Sequence, residues 1–242
     1  MNIILLTNQD YCSRNTVSIP RGDYRYKHMR HVLRVSVGDT LRVGVLHGKR
    51  HTGVVAVCSD QEIILTVMEQ EKPLPRKLPI TLCVALPRPQ TYKKVVYDAT
   101  VLGVSELVFF HSRKVEKSYW HSPVLGEEKT GKLLRDALSQ AGDTVPPRIS
   151  TYPRFRPFAE DVLPRLLKGK EGFLFHPRDT VHTLSPSQIP VLYMVGPEGG
   201  FTDFEYELLG NADLLGVSLG ERILRVEQAV ATILGYSLIK FA

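Results

Sequence analysis

The sequence predicts an α/β protein in two parts, a small N-terminal β-barrel and a C-terminal domain with a mostly parallel sheet. Short β-branched runs dominate the first third of the chain, whereas apolar runs and helical patterns alternate after it. Between the two patterns lies Lys72-Pro-Leu-Pro-Arg-Lys-Leu-Pro79, whose prolines are typical of a stiff connector. We therefore predict a first domain over residues 1–72, a linker over 73–79 and a second domain over 80–242.

Each domain has its own predicted elements. The predicted strands of the first domain are Thr40–Val45, Thr52–Val57 and Ile63–Val67. The predicted strands of the second domain are Ile80–Leu86, Leu107–Phe110, Gly172–His176, Val191–Val195 and Leu214–Leu219. The predicted helices are Thr91–Leu102, Glu127–Gln140, Pro157–Leu167, Asp203–Leu209 and Leu224–Ile239. Rules of chain topology alone would arrange these elements as an unknotted, Rossmann-like fold.

Composition narrows the class of protein. An apolar fraction of 43% can build substantial cores, and a formal net charge of +6 suits a polyanionic partner, although an incidental basic surface is the alternative. The cysteines Cys12, Cys58 and Cys83 are odd in number and widely spaced, so we predict no disulfide framework, no metal site and a reducing, cytoplasmic compartment. No apolar run reaches the roughly 18 residues that a membrane span needs, and no signal peptide is predicted.

The first segment that indicates function is Val195-Gly-Pro-Glu-Gly-Gly-Phe201. It joins a predicted strand to a predicted helix, a junction where unpaired main-chain amides hold ligands in α/β proteins. The adjacent glycines leave space for a ligand against the main chain. Thr202 and Glu205 have capping-box spacing, which places Glu198 on a rigid loop just before a helix that starts near Asp203. A purely structural turn is the alternative.

The second segment is Leu219-Gly-Glu-Arg-Ile-Leu-Arg-Val-Glu-Gln-Ala229. It places Arg222 and Arg225 at the predicted start of a long helix, where a cation opposes the helix dipole. This unfavourable position indicates either an anionic partner or ion pairs with Glu221 and Glu227.

Together these two segments resemble the signature of the ribosomal small-subunit methyltransferase E family, within the SPOUT superfamily of S-adenosylmethionine-dependent RNA methyltransferases. The match covers nearly every position of the pair, with Gln228 where threonine is usual. The resemblance implies methylation of uridine at N3 in small-subunit (16S) ribosomal RNA. It also implies a PUA-like RNA-binding barrel at the N-terminus, a trefoil knot around the cofactor pocket and a homodimer.

The resemblance further implies a cofactor site among these loops. The chain contains neither G-x-x-x-x-G-K-S/T nor G-x-G-x-x-G, which argues against a nucleoside triphosphate or a dinucleotide. The residues implied to hold S-adenosylmethionine are Leu174, Phe175, His176, Gly196, Pro197, Glu198, Gly199, Gly200, Leu219, Gly220, Ile223 and Leu224.

The catalytic candidates follow from the chemistry of uridine N3, which carries a proton and is a poor nucleophile. A site must either remove that proton or stabilise the negative charge on the ring. Arg225 is the first candidate for stabilising charge on the uracil oxygens, and Arg222 is the second. Glu198 or Glu227 either accepts the proton or orients the arginines.

Two basic groups are candidates for RNA binding. Lys27, Arg30, His31 and Arg34 would form one stripe of a helix, opposite Met29, Val32 and Leu33. Arg113, Lys114 and Lys117 lie beside Tyr119 and Trp120, a combination that can stack an unpaired base. In each case an ordinary solvated surface is the alternative.

Some positions depart from the family pattern. Asp98 and Val101 replace a lysine and a glutamate, Asp143 replaces an arginine, and the usual arginine near the start is absent. These changes leave two alternatives open: a diverged paralogue with another RNA target, or a non-catalytic RNA-binding or ribosome-assembly protein of the same fold. A small-molecule enzyme is a third.

Overall fold

The computed structural model describes residues 2–68, 72–178, 184, 186 and 190–241. The chain divides into two compact units. The first contains Met1–Pro75 and Arg135–Pro146, and the second contains Arg76–Leu134 and Pro147–Ala242. The first unit is thus discontinuous, because a short stretch from the middle of the chain joins it.

The first unit is built on a five-stranded mixed sheet in the order β1-β3-β4-β5-β2. Its strands are β1 Ile4–Leu6, β2 Thr16–Pro20, β3 Thr40–Val45, β4 Arg50–Cys58 and β5 Glu62–Val67. β1 pairs with β3 in parallel and the remaining pairs are antiparallel. The three predicted strands are confirmed, because their alternating apolar residues, such as Ile63 and Leu65, are fully buried. β1 and β2 were not predicted.

A short helix follows β2 in the first unit. α1, Tyr24–Lys27, continues as a π-helical segment, His28–Leu33, which Arg34 ends with a left-handed φ of 54°. The residues predicted to lie opposite the basic stripe do not share one environment, since Met29 is buried whereas Val32 and Leu33 are exposed. A π-helix is wider than an α-helix, so residues spaced for one face of an α-helix no longer share a face.

The second unit is built on a six-stranded sheet in which every pair of neighbours is parallel. Its strands are β6 Leu78–Ala85, β7 Val104–Phe110, β8 Arg148–Tyr152, β9 Glu171–Phe175, β10 Val191–Val195 and β11 Leu214–Val217. The central strands β6 and β10 are buried along almost their whole length, as near-continuous apolar runs predict. β8 was not predicted because it is a half-exposed edge strand with a polar sequence.

Helices connect these strands. The longer helices are α2 Pro89–Val101, α3 Glu127–Ala141, α6 Asp203–Gly210 and α7 Val226–Phe241. The helix predicted over Pro157–Leu167 is divided into α4 Phe155–Pro157, a π-helical segment Phe158–Val162 and α5 Leu163–Leu167. Pro164 in the first turn of α5 lacks the N–H that a continuous α-helix would need there. Short 3₁₀ helices span Asn8–Asp10, Lys117–His121 and Pro123–Leu125.

The strand order of the second unit is β11-β9-β10-β6-β7-β8. A Rossmann-like order would place β9 beside β6, whereas β10 occupies that position here. The direction in which strands are added reverses between β6 and β10, and ligands of open α/β sheets bind at the carboxyl ends of strands near such a reversal. Among the described helices, none is both long and apolar enough to cross a membrane.

Candidate functional site

A cavity of about 150 Å³ lies at the carboxyl ends of β9, β10 and β11. It is enclosed by the loops that follow these strands and by the first turns of α7. The lining residues are Phe175, His176, Pro177, Val195, Gly196, Pro197, Glu198, Gly200, Ser218, Leu219, Gly220, Arg222, Ile223, Leu224, Val226 and Ala229. All of them belong to the second unit.

The loop after β10 requires its glycines. Gly200 has a left-handed φ of 68°, and its N–H donates to the Pro197 carbonyl at 2.8 Å, which closes the turn. A Cβ at Gly196 would lie 3.0 Å from the Phe201 ring. The predicted capping box is confirmed, because Thr202 Oγ1 accepts the Glu205 N–H and Glu205 Oε2 accepts the Thr202 N–H at 2.9 Å. This loop is therefore tightly constrained.

Two contacts from the segment after β7 hold this loop in place. The buried Glu205 carboxylate accepts the Arg113 N–H through Oε1 at 2.7 Å. Lys114 Nζ donates to the Gly199 carbonyl at 2.8 Å and to the Phe201 carbonyl at 3.4 Å. Lys114 was predicted to bind RNA, yet its ammonium group lies on main-chain oxygens of the glycine-bearing loop.

The loop after β11 has its own left-handed residue. Gly220 has a φ of 100°, and its N–H donates to Ser218 Oγ at 3.2 Å. α7 begins at Val226, two residues after its predicted start, so Arg222 and Arg225 precede the helix. The Arg225 N–H donates to Gln228 Oε1 at 3.0 Å, which is half of a capping box. Gln228, where the family usually has threonine, therefore has a structural role here.

The two acidic catalytic candidates, Glu198 and Glu227, both contact α2 or the residue that precedes it. Glu198 Oε1 accepts the Arg88 N–H at 3.0 Å, and Glu227 Oε1 pairs with Lys94 Nζ at 3.1 Å. Burial raises the pKa of Glu227, but its own main-chain N–H, Lys94 and Arg225 outweigh that effect, so the pKa lies below its ordinary value. Glu227 is consequently a carboxylate at neutral pH and a weak base.

Most of the residues predicted to hold a cofactor surround the cavity. The exceptions are Leu174, which is buried in β9, and Gly199, which faces the Lys114 side chain. Lining residues that sequence reasoning missed are Pro177, Val195, Ser218, Val226 and Ala229. Val226 and Ala229 are three positions apart on α7 and therefore face the cavity from the same side of the helix, which the sequence spacing could have indicated.

The RNA-binding candidates lie in both units. In the first unit Lys27, His31 and Arg34 are exposed, while Arg30 donates to Cys58 Sγ at 3.2 Å and pairs with Asp60 at 3.4 Å. In the second unit Arg113 and Lys117 are exposed, and Tyr119 and Trp120 are partly buried against the core.

One departure from the family pattern, Asp143, has a local explanation in the structure. Asp143 is buried and accepts the N–H groups of Thr144 at 2.7 Å and Val145 at 3.2 Å, so its charge stabilises a turn of the first unit. Burial raises the pKa of Asp98, with Glu227 adding to this effect and Lys94 opposing it. Within the described ranges, no cluster of His, Cys, Asp or Glu has the arrangement of a metal site.

Comparisons with known proteins identify the family of this chain. The family model of the RNA methyltransferase domain matches residues 74–237. Ribosomal RNA small subunit methyltransferase E from Treponema pallidum is 25% identical over 233 residues, covering 95% of this chain and 87% of its own. The Bacillus subtilis protein of the same name is 27% identical over 236 residues, covering 93% and 91%.

A solved structure shares the fold. The ribosomal RNA small subunit methyltransferase E from Neisseria gonorrhoeae, bound to S-adenosyl methionine, superposes with a TM-score of 0.73 at 20% identity. The alignment covers 99% of this chain and 100% of the other. The chain belongs to the RNA methyltransferase domain family and, within it, to the ribosomal small-subunit methyltransferase E group of the SPOUT superfamily.

Proposed function

We propose that this protein transfers a methyl group from S-adenosylmethionine to N3 of a uridine in small-subunit (16S) ribosomal RNA. The observation that carries the proposal is the cavity between two glycine-bearing loops and α7, in a chain of the RNA methyltransferase family. Its relatives are named as methyltransferases of small-subunit ribosomal RNA.

The cavity has the chemistry that this cofactor requires. Phe175, Leu219, Leu224 and Val226 supply apolar walls for an adenine ring, and the glycines expose main-chain groups that can recognise its polar edge. Among the lining residues described, Arg222 is the only arginine or lysine, so a polyphosphate clamp is not present there. When bound, S-adenosylmethionine supplies an electrophilic methyl group on its sulfonium.

Residues of this chain would prepare the uridine. Arg225 is our candidate for stabilising negative charge on the uracil oxygens as the N3 proton leaves, and Arg222 is the second candidate. Because Glu227 has a lowered pKa and pairs with Lys94, we assign it an orienting role toward the Arg225 region. Glu198 remains our candidate for accepting the proton.

Several finer features of the family belong to the same proposal. We infer a PUA-like RNA-binding role for the first unit, with its basic residues Lys27, Arg30, His31 and Arg34 on phosphates. We infer a trefoil knot in the second unit, for which the position of β10 between β6 and β9 is the supporting observation. Exposed Ile223 (94%) and Ile239 (87%) support a homodimer, and the unpaired cysteines support a cytoplasmic location.

Arg225→Ala tests the assignment of the site. Loss of one preorganised charge-stabilising donor lowers kcat by about 10²–10³-fold. S-adenosylmethionine affinity, measured by calorimetry, should change little, because this arginine acts on the uridine. Arg165→Ala is the matched control, since this exposed arginine of α5 belongs to neither of the two motif-bearing loops. Unchanged transfer by Arg225→Ala would remove Arg225 from the mechanism.

Mass mapping of ribosomal RNA from a deletion strain identifies the nucleotide. We expect one uridine to lose its N3 methyl group, and complementation with the intact gene to restore it. Loss of a methyl group elsewhere would indicate a diverged paralogue. Complete methylation in the deletion strain, together with retained RNA binding, would favour the non-catalytic assembly protein.

A further inference from the structure

We propose that a second cavity, beside the glycine-bearing loop, binds an unpaired RNA base that neighbours the target uridine. This inference deepens the proposed function and rests on it. The cavity has a volume of about 330 Å³ and lies at the carboxyl ends of β7 and β8, against the first turn of α6. Its walls include His111, Arg113, Phe155, Arg156 and Phe204.

Two aromatic rings give this cavity surfaces for stacking. Phe204, in the first turn of α6, is 59% exposed, so its ring is accessible to a base. Phe155 is half-buried, and its ring centroid lies 6.3 Å from that of the buried Phe110, so the core supports it. Aromatic side chains held at a rigid surface stack on bases of any sequence.

The polar groups of the cavity suit a nucleotide. Trp120 Nε1–H donates to His111 Nδ1 at 3.0 Å, so the proton of the neutral imidazole lies on His111 Nε2. His111 Nε2 can therefore donate to an oxygen or a ring nitrogen of a base. Arg113 and Arg156 supply positive charge for a phosphate. Arg156 pairs with Glu160 at 2.7 Å, but its side chain is 73% exposed, so this surface pair can be exchanged at little cost.

The cavity is rigid. The His111 N–H donates to the carbonyl of Tyr152, the last residue of β8, at 2.9 Å, which extends the strand pairing past the end of β7. The Glu205 carboxylate fixes Arg113 to the start of α6. A preorganised site loses less conformational entropy when a flexible single strand binds.

Successive aromatic ring contacts connect this cavity with the proposed cofactor site. The ring centroids of His176 and Phe201, of Phe201 and Phe110, and of Phe110 and Phe155 are each 6.3 Å apart. His176 lines the first cavity and Phe155 lines the second, so the two cavities lie on either side of the loop that contains Phe201. An RNA strand that presents its target uridine to the cofactor in the first cavity would therefore have a neighbouring base beside the second cavity.

The experiment titrates the full chain into a short single-stranded RNA that carries one 2-aminopurine, whose fluorescence is quenched by stacking. We expect quenching by the unaltered protein and by Phe204→Trp. Phe204→Leu should lose the quenching and bind the RNA about tenfold or more weakly in fluorescence anisotropy. Leu215→Ala, which removes another half-exposed apolar side chain of the second unit, is the matched control and should behave like the unaltered protein.

The outcomes separate this inference from the proposed function. Equal quenching and affinity for Phe204→Leu and the unaltered protein would overturn the inference, as would an equal loss in Phe204→Leu and Leu215→Ala. If Phe204→Leu also methylates RNA with an unchanged KM, the base site fails while the proposed function stands. If the unaltered protein does not bind S-adenosylmethionine but quenching still depends on Phe204, the base site stands and the proposed function fails.

Discussion

Glu205→Ala tests how the glycine-bearing loop is held. The Glu205 side chain is buried and accepts the main-chain N–H groups of Thr202 and Arg113 at 2.9 and 2.7 Å. A hydrogen bond to a charged acceptor contributes about 1.5–3 kcal/mol. Loss of these two hydrogen bonds should therefore lower the free energy of unfolding by about 3 kcal/mol, because water partly replaces the lost acceptor. For a unit of this size that corresponds to a fall in Tm of roughly 6–12 °C.

Scanning calorimetry measures this change, with and without S-adenosylmethionine. Glu205→Gln keeps one acceptor oxygen and should lose about half as much stability. Glu207→Ala, an exposed carboxylate of the same helix, is the matched control and should stay within about 1 °C. We also expect weaker cofactor binding in Glu205→Ala, because the cavity wall is released. If Glu205→Ala melts within about 2 °C of the unaltered protein, the carboxylate does not fix the loop.

Three further predictions concern the reactivity of the cysteines, the pH dependence of stability at Asp10 and the effect of replacing Gly200. The exposed Cys12 should react rapidly with a thiol reagent, whereas Cys83, whose burial raises its pKa well above the ordinary value, should react only after unfolding; equal labelling rates by mass spectrometry would contradict this. Burial raises the pKa of Asp10, but hydrogen bonds from Arg25 and Thr7 outweigh this effect, so the pKa in the folded state is lowered. Ionised Asp10 therefore stabilises the folded state above the ordinary pKa of 3.8, and this stabilisation is lost as the pH falls further. Asp10→Asn should therefore cost about 3 kcal/mol at neutral pH in chemical denaturation, a cost that shrinks as the pH falls below 3.8; a constant difference would refute the pairing. Gly200→Ala forces a left-handed φ on alanine and should lower the free energy of unfolding by about 1 kcal/mol, and no loss would show that the turn adapts.

Local patterns made much of the second unit predictable. The apolar runs of β6 and β10 predicted buried strands, and the Thr202–Glu205 spacing predicted the start of α6. The edge strand β8 was missed because three of its five residues, Arg148, Ser150 and Thr151, are polar and a period of two is weak over so short a segment.

Long-range contacts could not be predicted from local sequence patterns. The bond from Arg113 to Glu205 joins residues 92 positions apart, and no spacing rule relates them. For the same reason the position of β10 beside β6 follows from neither periodicity nor turn chemistry. Most of the cavity lining lies in the two loops that carry the motifs, so local sequence reached these residues, whereas Ala229 lines the cavity through the geometry of α7.

Calorimetric titration of S-adenosylmethionine into the protein and into Ala229→Phe tests the central claim most directly. Ala229 lines the cavity from α7, and a phenyl ring there would occupy the space assigned to the cofactor. Ala231→Phe, on the exposed side of the same helix, is the matched control. We predict binding by the unaltered protein and by Ala231→Phe, and none by Ala229→Phe. Absence of binding by the unaltered protein, or full binding by a folded Ala229→Phe, would contradict the assignment of this cavity.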